Sequence, residues 1–334
     1  MNTKLLRQNA RKIVSRTILA ADESTGTIKK RLATIGIEST PEINRQYRQL
    51  LFTAPGIEKN VSGVILYDET IRQSTDQKVP FSAHLEKRGI VPGIKVDKGT
   101  VQIPTLGQDK FTQGLDKLSD RLAEYKELGA KFAKWRAVYT IDKISPSDTI
   151  IERNAHDLAV YALLCQQADI VPIVEPEVLM EGNHPFDKDM VISEKVFTKV
   201  FELLKEYGVD FGGMILKPNM ITSGKKNAKQ ADVKKVAEIS LKVLKKTVPT
   251  AVPGIAFLSG GQSPDLATIH LNEINKMRNK NKSSYPWRIT ASYGRALQGE
   301  ALEAWGGKKA NVQKAQEIFI ARAEKVYKAS QGKL

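Results

Sequence analysis

Along the chain, short runs of β-branched and other apolar residues alternate with stretches whose apolar positions recur every three to four residues. The runs read as buried strands and the stretches between them as amphipathic helices. Eight runs stand out: Ile18 to Asp22, Val61 to Asp68, Val91 to Val96, Lys131 to Val138, Ile170 to Glu175, Gly212 to Lys217, Gly254 to Leu258 and Arg288 to Tyr293. Helical spacing links Leu115, Leu118, Leu122 and Tyr125, then Val196, Val200, Phe201 and Leu204, then Val233, Val236, Ile239 and Val243. A last helix is predicted from about Val312 to Lys328.

Eight strand and helix units over this length most simply close into a (β/α)8 TIM barrel, an α/β fold that ordinarily uses roughly 250 residues and tolerates insertions. The rival is an open doubly wound sheet. No Gly-x-Gly-x-x-Gly turn opens a helix, so the dinucleotide fingerprint of that fold is missing. Neither a low-complexity linker nor an internal repeat divides the chain. The expectation is one domain over residues 1–334, with a short N-terminal extension and a C-terminal helix.

Composition narrows the class of protein. A chain of 334 residues with 41% hydrophobic content can bury a large core. Cys165, the single cysteine, leaves no intramolecular disulfide to form, and it falls in a helical pattern as a small core residue. No segment approaches the roughly 18 apolar residues of a membrane span, and Met1 to Arg16 has no apolar signal core. The expected compartment is the cytoplasm, with no membrane partner. The formal charge of +15, with lysine-rich stretches at Lys225 to Lys235 and Lys276 to Lys282, raises nucleic acid as a partner. Those stretches lack interleaved aromatic residues and fit solvated helix faces and loops, so nucleic acid is not expected. A small anionic metabolite suits the charge equally well.

In a barrel of this kind the active site lies at the C-terminal ends of the strands. Polar residues gather there: Asp22 and Glu23 after strand 1, Lys95 and Asp97 at strand 3, Lys134 and Arg136 in strand 4, Glu175 and Glu177 at strand 5, and Lys217 at strand 6. Alternation points each i, i+2 pair to one side. Lys217 ends the run Met214-Ile215-Leu216, where desolvation would lower its pKa and free a nucleophilic amine. A lone lysine there would ordinarily snorkel its ammonium to water, and the charged set could be a buried ion-pair network without chemistry. Burying so many charges at the mouth of a barrel favours a polar substrate.

Two glycine turns indicate what that substrate carries. Ser259-Gly260-Gly261-Gln262 follows strand 7, and Ser292-Tyr293-Gly294-Arg295 spans the end of strand 8. Exposed backbone amides in these two positions form the frequent phosphate site of such barrels, and Arg295 adds charge-assisted hydrogen bonds.

Seven ordered motifs resemble those of the class I fructose-bisphosphate aldolases: Ile18-Leu-Ala-Ala-Asp-Glu-Ser-Thr-Gly26, Gly93-Ile-Lys-Val-Asp-Lys-Gly99, Ala133-Lys-Trp-Arg136, Val171-Pro-Ile-Val-Glu-Pro-Glu177, Leu216-Lys-Pro-Asn-Met220, Phe257-Leu-Ser-Gly-Gly-Gln-Ser263 and Ser292-Tyr-Gly-Arg-Ala-Leu-Gln298. The resemblance runs from about Arg16 to Gly332. It implies a carbon–carbon lyase of glycolysis and gluconeogenesis that cleaves fructose 1,6-bisphosphate reversibly to dihydroxyacetone phosphate and glyceraldehyde 3-phosphate. Fructose 1-phosphate and sedoheptulose 1,7-bisphosphate share the reacting atoms. Lys217 would form the Schiff base, with no metal and no other cofactor; Glu175 would move protons, Lys134 would keep Lys217 neutral and stabilise oxyanions, Asp22 would take the carbon-4 hydroxyl proton, and Glu177 would orient Lys134 or Glu175. The ketose-side phosphate would meet Ser259, Gly260, Gly261, Ser292, Gly294 and Arg295. The distal phosphate would meet Lys95, Arg136, Lys30, Arg31 and Ser24 or Thr27. The resemblance also implies a homotetramer.

One departure stands out. Animal members of the family end in a flexible tail whose last tyrosine assists proton exchange on the enamine, whereas this sequence closes on Gln331-Gly-Lys-Leu334, with Tyr327 in a helical pattern. Slow enamine protonation is the expectation. The four histidines, His84, His156, His184 and His270, show no ligand spacing, which argues against metal-dependent aldol chemistry. A transaldolase-like barrel lacks support from the two phosphate turns, and an idle barrel binding anionic polymers would not need the full catalytic set.

Overall fold

The computed structural model describes residues 1–105 and 107–334. Eight parallel strands close into a barrel in chain order: β1 (Thr17–Ala20), β2 (Val61–Leu66), β3 (Val91–Lys95), β4 (Phe132–Tyr139), β5 (Val171–Val178), β6 (Ile215–Leu216), β7 (Gly254–Phe257) and β8 (Arg288–Tyr293), which pairs back onto β1. This is the expected (β/α)8 barrel. Most of its strands are buried from end to end, as strands covered by helices outside and side chains inside must be.

Helices wrap the outside by their apolar stripes and begin at residues suited to the task. Ser147 Oγ accepts the Ile150 amide at the head of the helix Asp148–Gln167, Asp232 accepts the Lys235 amide at Val233–Thr247, and Ser263 accepts the Leu266 amide at Pro264–Lys280. The helix Val312–Ala329 occupies the predicted C-terminal position and buries Ala315, Phe319, Ala323 and Val326.

Three features depart from the expected plan. The N-terminal extension is a helix, Thr3–Ile13, whose Leu6, Ala10 and Ile13 lie on one stripe and are fully buried. A small antiparallel ribbon, Thr100–Gln102 with Lys110–Thr112, stands between β3 and β4. Strand 6 is only two residues long, because Phe211–Gly213 coils into a 3-10 turn; the Lys217 amide nevertheless donates to the Val174 carbonyl at 2.8 Å, so the chain stays in register past the strand's formal end.

The barrel interior divides into two halves. Ile18, Ala20, Ile65, Val91, Phe132, Val171, Ile173, Ile215 and Ala256 pack with Leu6, Ala10, Ile13 and Val14 into one apolar cluster that plugs the N-terminal end. The Phe132 ring fills space that only glycine leaves open: a Cβ on Gly93 would lie 2.3 Å from it. Further along β1, β3, β4, β5 and β6 the inward positions become charged, with Asp22, Lys95, Lys134, Glu175 and Lys217.

Candidate active site

Alternation along the strands builds this site. Phe132 points into the barrel, so Lys134 and Arg136 do as well; Ile173 does, so Glu175 and Glu177 follow; Ile215 puts Lys217 on the same side. These side chains meet at the wall of a cavity of about 890 Å³ at the C-terminal end of the barrel. All the residues expected in the site line it except Lys30.

Lys134 is the hub. Its ammonium donates to Asp22 Oδ2 at 2.8 Å and has Glu175 Oε2 at 3.5 Å and Asp97 Oδ2 at 3.7 Å. Burial alone would push that ammonium toward neutrality, but the charges of Asp22, Glu175 and Asp97 outweigh it and raise the pKa well above the ordinary lysine value. Lys134 is therefore held as a fixed cation. Asp22 answers in kind: burial pushes its carboxyl up, and Lys134 and Lys217 more than reverse this, leaving it well below the usual carboxylate range.

Lys217 sits at the same cluster, 5% exposed, with Nζ 3.1 Å from Glu175 Oε1. Glu175 thus stands between two lysine nitrogens, one on each oxygen. It is itself 3% exposed, and its Oε2 has no hydrogen bond. Such a carboxyl can take a proton from one side and hand it to a third partner entering from the cavity.

Two expected partnerships change. Glu177 does not reach for Lys134 or Glu175: its Oε2 accepts from Arg136 Nε, because Glu177 lies beyond Glu175 along β5, level with Val138 on β4, and Arg136 is the cation within reach. Lys30 lies exposed on the helix Thr25–Ala33, which turns Ile28 and Leu32 inward and directs Arg31, Thr27 and Ser24 toward the cavity.

Asp97 is the residue to which no role was assigned. It is 7% exposed, and its Oδ1 accepts from Lys95 Nζ at 2.6 Å and from the Gly99 amide at 3.2 Å. The Lys95-x-Asp97 alternation was its signal. Glu23 is a second such residue: its Oε1 accepts from Arg31 and from Gln298 Nε2 at 2.8 Å, its Oε2 forms an ion pair with Arg48 at 2.6 Å, and Gln298 also donates to the Ala20 carbonyl.

On the opposite wall, Gly260 and Gly261 adopt φ of +57° and +84°, the left-handed region that glycine occupies without strain, and so form an open turn with Ser259 after β7. Gly294 caps the helix Arg295–Trp305, whose first amides and positive dipole end face the same space, with Arg295 exposed beside them. The Ser292 hydroxyl is buried without a partner at this edge. The arrangement can hold an anion on one side and carry out amine and proton chemistry on the other.

A family model described as fructose-bisphosphate aldolase class-I matches residues 5–334. The chain belongs to that family. Among its relatives, a cytosolic fructose-bisphosphate aldolase of Arabidopsis thaliana is 48% identical over 94% of this chain and 87% of its own length. A muscle-type fructose-bisphosphate aldolase of Lethenteron camtschaticum is also 48% identical, over 98% of this chain and 90% of the relative. A solved structure of fructose-bisphosphate aldolase from Plasmodium falciparum, in complex with TRAP and a small molecule inhibitor, superposes with a TM-score of 0.96 at 46% identity, covering 99% of this chain and 95% of that one. This aldolase is a carbon–carbon lyase of the aldehyde-lyase class, and its family works without a metal through a Schiff base.

Proposed function

We propose that Lys217 is the Schiff-base nucleophile of this fructose-bisphosphate aldolase and that Glu175 is its proton carrier. The observation that carries the assignment is the Lys217 Nζ to Glu175 Oε1 contact of 3.1 Å inside a cluster where Lys134 is held positive. Buried at this cluster, the Lys217 nitrogen has beside it a carboxyl that can take the proton it sheds on attacking a carbonyl.

The steps follow from these groups. The amine adds to the carbon-2 ketone of fructose 1,6-bisphosphate, and Glu175 passes the proton lost by nitrogen to the carbonyl oxygen, giving a carbinolamine. Protonation of that hydroxyl expels water and leaves an iminium. Asp22, kept ionised by Lys134 and Lys217, takes the carbon-4 hydroxyl proton; the bond between carbons 3 and 4 breaks, and its electron pair enters the iminium as an enamine. Glyceraldehyde 3-phosphate departs. Protonation at carbon 3 and hydrolysis return dihydroxyacetone phosphate and free Lys217. Lys134 stabilises the oxyanions on this path, and its charge and position suit that task.

The two phosphates would be held differently. The ketose-side phosphate meets the Ser259-Gly260-Gly261 turn, Ser292 and the Gly294–Arg295 helix start, where backbone amides do much of the work. For the distal phosphate, Lys95, Arg136 and Arg31 are each already paired, with Asp97, Glu177 and Glu23 respectively, and Ser24 and Thr27 add hydroxyls. Glu177 tunes Arg136 in this reading. A cytosolic location, as named for plant relatives, and assembly as a homotetramer belong to the same proposal; sedimentation velocity checks the assembly.

Reduction with borohydride in the presence of dihydroxyacetone phosphate, followed by peptide mass spectrometry, tests the assignment. An adduct on Lys217 is expected. An active enzyme that yields its adduct elsewhere, or none, refutes it.

A further inference from the structure

The segment after the nucleophile, Pro218 to Gly224, is buried along its whole length. Connections usually run over the surface, because an interior loop strands backbone donors and acceptors that water would otherwise satisfy. Here side chains from other elements take them. The Ile221 amide donates to Ser240 Oγ at 2.9 Å and the Thr222 amide to Asp189 Oδ2 at 3.1 Å. Asp189 also reaches the start of the segment: its Oδ1 accepts from Ser193 Oγ at 2.7 Å, and Ser193 Oγ accepts from Asn219 Nδ2 at 3.2 Å. Asn219 Oδ1 in turn accepts the Val178 amide at 3.0 Å.

This chain of contacts starts outside the cavity and ends on both strands that matter to the chemistry. Asn219 is two residues beyond Lys217, and Val178 is the residue after Glu177 on β5. Asp189 is 1% exposed on the inner face of the helix Phe186–Glu206 and does not line the cavity. Burial pushes its carboxyl up to about 7, with the Ser193 and Thr222 hydrogen bonds pulling it partly back. An acid kept in so dry a place without a cation is a poor contributor to stability, so its value must lie in what it holds.

We propose that Asp189 is a positioning residue of this aldolase: by gripping Thr222 directly and Asn219 through Ser193, it fixes the loop behind Lys217 and the end of β5, and so keeps Lys217 Nζ in reach of Glu175. The proposal rests on Lys217 being the nucleophile. It separates from a purely structural role by where the damage falls. Loosening the loop misplaces the amine and slows covalent chemistry, whereas the phosphate turn and Arg295 continue to bind substrate.

The test uses Asp189→Ala, Asp189→Asn and Ser193→Ala in the full chain, at a temperature where each is folded. We expect Asp189→Ala to lower kcat by roughly tenfold with KM changed less than about twofold, and to slow borohydride-trapped adduct formation on Lys217 in proportion. Asp189→Asn, which keeps an acceptor for Thr222 and a polar contact for Ser193, recovers most of the rate. Ser193→Ala falls part of the way and adds nothing further in the double variant with Asp189→Ala, as members of one network do. Wild-type kcat and adduct rate in folded Asp189→Ala overturn the proposal, as does a fall confined to KM. If Asp189→Ala does not fold, Ser193→Ala decides: a wild-type adduct rate there overturns it. Wild-type enzyme that forms no adduct on Lys217 removes the reading beneath the proposal, and the two failures are thereby told apart.

Discussion

The two ends of the barrel are built from the same strands and behave as opposites. β4 places Phe132 at the bottom and Lys134 and Arg136 at the top; β5 places Val171 and Ile173 below and Glu175 and Glu177 above; β6 turns Ile215 down and leads to Lys217. Below, the helix Thr3–Ile13 closes the barrel with aliphatic side chains. Above, cations and carboxylates face one another around open space. The lesson is that a one-residue-in-two pattern lets a single strand serve both purposes: the lower half supplies the burial that makes the barrel rigid, and the upper half draws on that rigidity to hold charges where solvent would otherwise disperse them.

Replacing Lys217 tests the upper half most severely. Lys217→Met fills the same space without an amine, and we expect kcat to fall by about 10³-fold or more, since a step that depends on covalent bonding has no substitute. Stability should not fall with it: Lys134 still faces Glu175 through its Oε2, and an apolar side chain replaces a buried charge. Activity and thermal melting measured on the same preparation check both parts. A loss of activity accompanied by an equally large loss of melting temperature would mean that the two halves are not divided as described.

The reverse substitution is Phe132→Ala at the bottom. A fully buried ring is removed from the plug, and destabilisation of about 3–5 kcal/mol is expected, with kcat per folded molecule close to wild type. Gly93→Ala makes a finer version of the same test. Its new Cβ would meet the Phe132 ring at 2.3 Å, and overpacking of this kind costs about 1–3 kcal/mol. Combining Gly93→Ala with Phe132→Leu should restore part of the loss, because the smaller side chain vacates the contested space. Additive losses in urea unfolding would show that the clash is relieved elsewhere.

Much of this division was legible in the sequence, for a physical reason. Parallel strands buried on both faces show as continuous apolar runs, and Lys134-x-Arg136 and Glu175-x-Glu177 show as charges in phase with them. Pairings across strands were not legible. Glu177 finds Arg136 because of the register between β4 and β5, and Glu23 finds Arg48 on the helix Pro41–Phe52; nothing local encodes either. The plug helix did carry a signal, Leu6, Ala10 and Ile13 at helical spacing, but it was masked by four Lys and Arg residues on its exposed side. Lys30 is where the family resemblance and the structure part: the resemblance implies a place at the distal phosphate, and the helix Thr25–Ala33 leaves Lys30 exposed outside the cavity lining.

The last prediction lies behind the site and concerns pH. Asp189 has a folded pKa of about 7, raised above the ordinary carboxylate value by burial, with Ser193 and Thr222 partly offsetting the rise. In the unfolded chain it ionises near pH 4. Below that point both states hold the proton and the group is neutral in its effect on folding. Between about pH 4 and 7 the unfolded state loses its proton while the folded state keeps it, which favours unfolding; above 7 both are ionised and the penalty is constant. Asp189→Asn does not titrate. The wild-type melting temperature should therefore fall relative to Asp189→Asn as pH rises from about 4 to 7 and run parallel to it above 7. Curves that stay parallel throughout would show that Asp189 is ionised in the fold at all these pH values, and that the dry pocket behind Lys217 is better solvated than its burial indicates.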